Sequence, residues 1–106
     1  MAEGTYRVML VFRLTPGAAD EELRRSRTPG SFPDRLAQQP GFLGMELVKL
    51  DADRTMSVQA WASGAAWWAA LAAVREQGAG AGGPTILEER VLYAGEVVHH
   101  RAASGA

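Results

Sequence analysis

The chain opens on a strand with no face made for water. Residues 5–14, TYRVMLVFRL, are dominated by β-branched and aromatic side chains. Alternation puts Val8, Leu10, Phe12 and Leu14 on one face and Arg7, Met9, Val11 and Arg13 on the other. A strand that is apolar on both faces belongs in a sheet covered on both sides. The rest of the fold must therefore supply two covers for one sheet.

The remaining chain supplies one of them. TPG at residues 15–17 stops the strand, and AADEELRRSR at 18–27 predicts a helix, with acidic residues early and basic ones late. TPGSFP at 28–33 breaks this helix, and residues 34–39 resume it up to Pro40-Gly41. The segment 18–39 thus reads as one helical region with an irregular middle. Residues 42–51 predict a second strand, DADR a turn, and residues 55–61 a third strand antiparallel to the second. Ser63 suits the N-cap of a helix running to Gln77. Residues 78–84, GAGAGGP, form a flexible connection; such a segment could act as a lid, but most Gly-rich linkers simply connect. Residues 85–98 predict a fourth strand, with Gly95 as a place for a bend, and residues 99–106 read as a flexible tail. The result is a single domain with its core over residues 5–98.

The order β-α-β-β-α-β is the ferredoxin-like pattern of the α+β class: a four-stranded antiparallel sheet with two helices on one face. The other face stays bare. Met9, Val11 and Val58, with Met45 as a further candidate, then need a partner. Two such sheets packed face to face in a homodimer would hide them. A chain of 106 residues buries only about two-thirds of its unfolded surface, so dimerisation would also add stability.

Several classes of function are disfavoured by composition. A net charge of -1 argues against nucleic acid or an anionic membrane surface as partner. The absence of cysteine excludes disulfides, thiolate catalysis and Cys metal sites. No apolar run approaches the roughly 18 residues of a membrane span, and no signal-peptide core is visible, so a cytoplasmic protein is expected. His99 and His100 lack a third ligand at metal spacing, and GAGAGG follows a helix with no Lys-Ser/Thr after it. Neither a metal site nor a phosphate cradle is expected.

One stretch carries chemical interest: WASGAAWWAALAAV, residues 61–74, holds all the tryptophans among small residues. Trp67, Leu71 and Val74 fall at i, i+4 and i+7 on one helix face, with Ala70 beside them, and Trp68 lies about 100° away. Two readings stay open. The indoles are core packing against a closely approaching helix, or Trp61 and Trp67 wall a slot for a planar ligand. Ser57 and Gln59 share the strand face of Trp61, so they either bond to neighbours or orient a substrate oxygen. Arg13, Glu46 and Arg90 are strand charges, which mostly pair across strands; an Arg could instead stabilise a phenolate. No His falls in the expected core. A general base would have to be a carboxylate, water or the substrate's own phenolate.

QQPGFLGMELVKL followed by VQAWAS resembles the antibiotic biosynthesis monooxygenase superfamily of dimeric α/β-barrels. The shared marks are Pro40-Gly41-Phe42 leading into the second strand, Trp61 closing the third, and Ser63 capping the next helix. The resemblance spans residues 7–98. One branch of that superfamily degrades haem with an Asn on the first strand, the strand Trp and a ligating His on the second helix. This sequence has Trp61 but neither of the others, and the ligand position falls near Ala70, so haem degradation is not expected. Another branch oxidises anthrone-type phenols to quinones without a cofactor, using an Asn, a Trp and a Tyr. Their positions here hold Ser57, Trp61 and Trp67.

The resemblance implies a cofactor-independent monooxygenase acting on an aromatic, polyketide-like molecule with O2, working as a homodimer. Trp61, Ser57 and Trp67 are the candidate catalytic residues. Gln59, Phe42, Leu71 and Arg13 are the candidate substrate contacts. No cofactor is called for. A cyclase or isomerase using the same pocket, and a non-catalytic dimeric binding protein, are the alternatives.

Overall fold

The computed structural model describes residues 4–77 and 85–103. Four strands, β1 (Tyr6–Leu14), β2 (Phe42–Asp51), β3 (Arg54–Trp61) and β4 (Leu87–Glu96), form one antiparallel sheet in the order β2-β3-β1-β4. The doubly apolar β1 takes a central place, paired with β3 on one side and β4 on the other. The expected ferredoxin-like topology holds.

The first helical region forms two short helices, α1 (Ala19–Ser26) and α2 (Phe32–Leu36). The cause is local. Gly30 takes φ +83°, and the Ser31 side chain then caps a new helix by accepting from the Asp34 N–H at 3.3 Å. Pro33 sits in that helix's first turn, where a missing N–H costs nothing. The third helix, α3 (Gly64–Gln77), begins as expected at Ser63, whose Oγ accepts from the Ala66 N–H at 3.1 Å.

The core lies between the sheet and the helices. It gathers Val8 of β1, Leu36 of α2, Trp61 of β3, and Trp67, Ala70, Leu71 and Val74 of α3. Pro40-Gly41-Phe42 enters it by a close approach. Gly41 has φ +87°, and a Cβ there would stand 2.6 Å from the Ala66 Cβ. Gly41 O also accepts from the Ala62 N–H at 2.8 Å, tying this turn to the start of α3. The small residues of that helix have a packing reason: they let the β2 entry lie against it.

Met45 is a correction to the expected outer face. The β2–β3 register shifts between Phe42 and Gly44, leaving Leu43 as an extra residue. Phe42 pairs with Trp61, but Met45 then pairs with Gln59 and shares its helix-side face. A bulge reverses the alternation that a plain count from Phe42 would give. On β4, pairing runs through Gly95 without a register shift; the irregularity in that ladder lies at Arg13/Leu14.

The far face of the sheet carries Met9, Val11, Met56, Val58, Val91 and Tyr93 in facing positions on adjacent strands. No helix covers it. Met9 and Tyr93 are 37% and 57% exposed. The flexible connection expected at residues 78–84 lies outside the described residues, as do residues 104–106 of the tail; residues 99–103 have no regular structure. Among the described residues no helix is long and apolar enough to cross a membrane.

Candidate active site

Alternation along β3 sends Thr55, Ser57, Gln59 and Trp61 toward the helices, and all are buried. Three of them join in one chain of hydrogen bonds. The Trp61 indole N–H donates to Gln59 Oε1 at 3.0 Å, and Gln59 Nε2 donates to Ser57 Oγ at 2.9 Å. An indole nitrogen can only donate, which fixes the orientation of the Gln59 amide. Among the described residues the Ser57 hydroxyl donates only to the Met45 thioether, at 3.9 Å. Sulfur is a weak acceptor. The chain therefore ends on a polarised hydroxyl that can exchange its last bond for a better one.

That hydroxyl opens on a cleft of about 240 Å³ between the sheet and the α1–α2 segment. Leu10, Phe12, Leu23, Phe32, Leu36 and Leu47 give it apolar walls, and Ser57 and Gln59 line it from β3. Glu22 of α1 and Arg90 of β4 bring the charges. Glu22 is half-buried, and burial raises its carboxyl above the ordinary value, with the Ser26 hydroxyl and the Arg25 charge opposing that rise. Ser26 Oγ donates to Glu22 Oε2 at 3.0 Å. A second lobe of about 300 Å³ is lined by Trp67, Leu71, Arg75 and Leu92. Leu10, Phe32 and Arg90 line both, so the two spaces adjoin at these residues.

The expected site residues separate into groups. Ser57 and Gln59 line the first lobe, and Trp67 and Leu71 line the second. Trp61 is fully buried and lines neither; it acts behind the cleft through Gln59. It stands in a row of rings, with its centroid 5.3 Å from Phe42 and 5.7 Å from Trp67. Phe42 belongs to that packing and not to the cleft wall. Arg13 is on the far face of the sheet, where its guanidinium pairs with Glu88 at 2.6 Å and Glu89 at 3.2 Å. The cationic strand residue at the cleft is Arg90 instead. Glu22 is the residue that sequence reasoning passed over. Its only sequence signal was a place in the acidic first turn of α1, which the helix dipole explains equally well.

A one-sided sheet roofed by helices, enclosing a mostly apolar cleft with a few polar groups on its wall, defines a small α+β domain with a candidate ligand site. The chain belongs to the antibiotic biosynthesis monooxygenase family, whose model matches residues 5–76. β4, which bears Arg90, follows the matched segment. No curated protein matches the sequence. Among solved structures, the chain is similar to MhuD, crystallised as a mutant with two manganese protoporphyrin IX bound per active site. That match has a TM-score of 0.75 at 22% identity, covering 92% of this chain and 99% of that one. The chain is also similar to SnoaB, a cofactor-independent oxygenase from Streptomyces nogalater (TM-score 0.58, 16% identity, coverage 99% and 100%). A monooxygenase from the ActVA-Orf6 gene of Streptomyces coelicolor, in complex with nanaomycin D, matches with a TM-score of 0.65 at 16% identity, covering 96% and 94%. At these identities the likeness is one of fold.

The sequence reading expected no haem ligand from the helix after the third strand. The side chains that α3 buries are Trp67, Ala70, Leu71 and Val74, none of which can ligate iron. These residues do not fit a haem held from that helix.

Proposed function

We propose that the protein is a cofactor-independent monooxygenase acting on a phenolic, polycyclic aromatic of the polyketide type, and that it works as a cytoplasmic homodimer. The observation that carries this reading is the first lobe, an apolar slot that Glu22, Ser57 and Arg90 all line.

A phenol lying along the apolar wall presents its acidic proton to Glu22. A carboxylate whose affinity for protons is raised by burial is a stronger base than an exposed one. Arg90, an exposed cation that lines the slot, stabilises the phenolate that forms. The Ser57 hydroxyl turns from the Met45 sulfur to the substrate oxygen, with Gln59 and Trp61 holding it from behind. The electron-rich anion reduces O2 and combines with it at the ring methylene carbon. Loss of water from the resulting hydroperoxide leaves a carbonyl. The methylene plus O2 becomes the carbonyl plus water: one oxygen atom enters the product, and the other leaves with both methylene hydrogens.

The homodimer half of the proposal rests on the far face of the sheet. Its apolar middle, around Met9, Val11 and Val58, is flanked by Arg7, Arg13, Arg54 and Glu89, the apolar-core and charged-rim arrangement of a protein interface.

The test is turnover of a hydroxylated anthrone under isotopically labelled dioxygen, with a chelator present. One O2 consumed and one labelled oxygen retained per quinone are expected. Turnover that continues without O2 would make the protein a cyclase or isomerase. Binding with no turnover would leave a binding protein.

A further inference from the structure

We propose that Thr55 is a catalytic residue whose hydroxyl receives the oxygen atom that enters the substrate ring. This rests on the reading of the first lobe as the oxidation site. Thr55 lies on β3 two residues from Ser57, on the same face, and lines the same slot. It is 2% exposed. Four uncharged polar residues line the slot: Ser26, Thr55, Ser57 and Gln59. Ser26 is bonded to Glu22, Ser57 to Gln59 and Met45, and Gln59 also to Trp61. Of the four, the Thr55 side chain alone has no hydrogen bond among the described residues. Its oxygen is not sealed off as the unpaired Trp67 indole nitrogen is, so it opens on the slot.

A buried hydroxyl without a partner costs stability and calls for a reason. Packing supplies none, because valine has nearly the same branched shape and no hydroxyl to satisfy. Ser57 already offers a handle for the phenolic oxygen, so a second hydroxyl on the same floor fits a second oxygen. Strand geometry sets where that oxygen lies. Two residues along a strand span about 7 Å. One aromatic ring with oxygens on opposite carbons bridges that span through a hydrogen bond at each end. In the enol form of an anthrone, the carbon to be oxidised lies across the central ring from the enol oxygen. With that oxygen at Ser57, the reacting carbon is turned to Thr55.

The substrate carries only hydrogen at that carbon, so the Thr55 hydroxyl stays unmet in the substrate complex. The C–O bond forms as the anion gives two electrons to O2, and the peroxide takes up the proton that Glu22 removed. The O–O bond then breaks, and the hydrogen remaining on that carbon leaves with hydroxide as water. Thr55 donates a hydrogen bond to the entering oxygen from the peroxide anion through to the carbonyl, and gives up no proton. A contact absent from the ground state, and made as charge develops on oxygen, lowers the barrier without tightening substrate binding.

The test compares the wild type with Thr55→Val, which keeps the shape and removes the hydroxyl. With a hydroxylated anthrone, kcat should fall about tenfold at unchanged KM, because the lost contact is one the substrate does not make. Thr55→Ser, which keeps a hydroxyl, should retain most of the rate. Binding is read with two nearly isosteric ligands, 4-methoxy-1-naphthol and 4-ethyl-1-naphthol; the first carries an oxygen on the carbon opposite the phenol. The wild type should bind the methoxy compound about fivefold more tightly, and Thr55→Val should erase that preference without weakening the ethyl compound. The thermal midpoint of Thr55→Val should not fall, since no partner is lost. A lowered midpoint with equal weakening of both ligands would give Thr55 a structural role and overturn the inference. Wild-type kcat in Thr55→Val, or no methoxy preference in the wild type, would overturn it and leave the aromatic site standing. Failure of both naphthols to bind, or of the wild type to turn over the anthrone, overturns the site reading as well.

Discussion

At the scale of single residues, the chain Trp61–Gln59–Ser57 gives Trp61 a function that packing alone does not. Trp61→Phe keeps most of the ring but strips the donor from Gln59 Oε1. Denaturant unfolding should show a loss of about 1–3 kcal/mol, the cost of a bared buried acceptor. Ser57→Ala strands the Gln59 amide in the same way, so it should lower stability by about 1–3 kcal/mol and also weaken phenol binding. A Ser57→Ala variant with wild-type stability and affinity would sink the relay. The shared face of Ser57, Gln59 and Trp61 was legible in the sequence, because a strand alternates. Their bonding along one strand was not, since it depends on rotamers. The alternation of β1 had already placed Arg13 beside Met9 and Val11, away from any helix-side cleft. That Arg90 reaches the cleft follows from its pairing with Phe12, a register that no local pattern encodes.

At the scale of elements, Gly41 ties β2 to α3. Gly41→Ala would place a methyl group 2.6 Å from the Ala66 Cβ, at φ +87°. Overpacking of this kind costs about 1–3 kcal/mol, to which the unfavourable φ adds. Thermal unfolding should show a lowered midpoint, and pairing the change with Ala66→Gly should recover part of it. The motif Pro40-Gly41-Phe42 was readable as a family mark; its physical reason needed the helix packed against it. The Leu43 bulge was not readable, and it misplaced Met45 by one alternation. Absence of a ligating side chain on the buried face of α3 predicts the outcome of a haemin titration. No stoichiometric Soret band should form that survives replacing His99 and His100 by Ala.

At the scale of the molecule, the order of elements and the doubly apolar β1 were enough to reach the ferredoxin-like fold. Periodicity shows through in long elements and fails in short ones, and so α2, five residues long, merged with α1 in the sequence reading. The exposed apolar face predicts a dimer. Sedimentation equilibrium at micromolar concentration should give twice the chain mass, and Val58→Asp, which would bury a charge in that interface, should give the monomer. A wild-type monomer under those conditions would refute the dimer.

The cleft beneath α1 and α2 is the heart of the proposed chemistry, and Glu22 is its proton acceptor. Below its pKa the carboxyl is protonated and cannot accept, so activity should rise with pH through that pKa. Burial lifts it, so the acid limb of kcat/KM should lie above 4.5, the ordinary value for a glutamate. The decisive measurement is this pH profile for the wild type and for Glu22→Gln, taken alongside phenol binding. The variant should lose about 100-fold or more in kcat, the usual worth of a general base, lose the acid limb, and bind the phenol nearly as before. Wild-type turnover in Glu22→Gln, with the acid limb unchanged, would contradict the assignment.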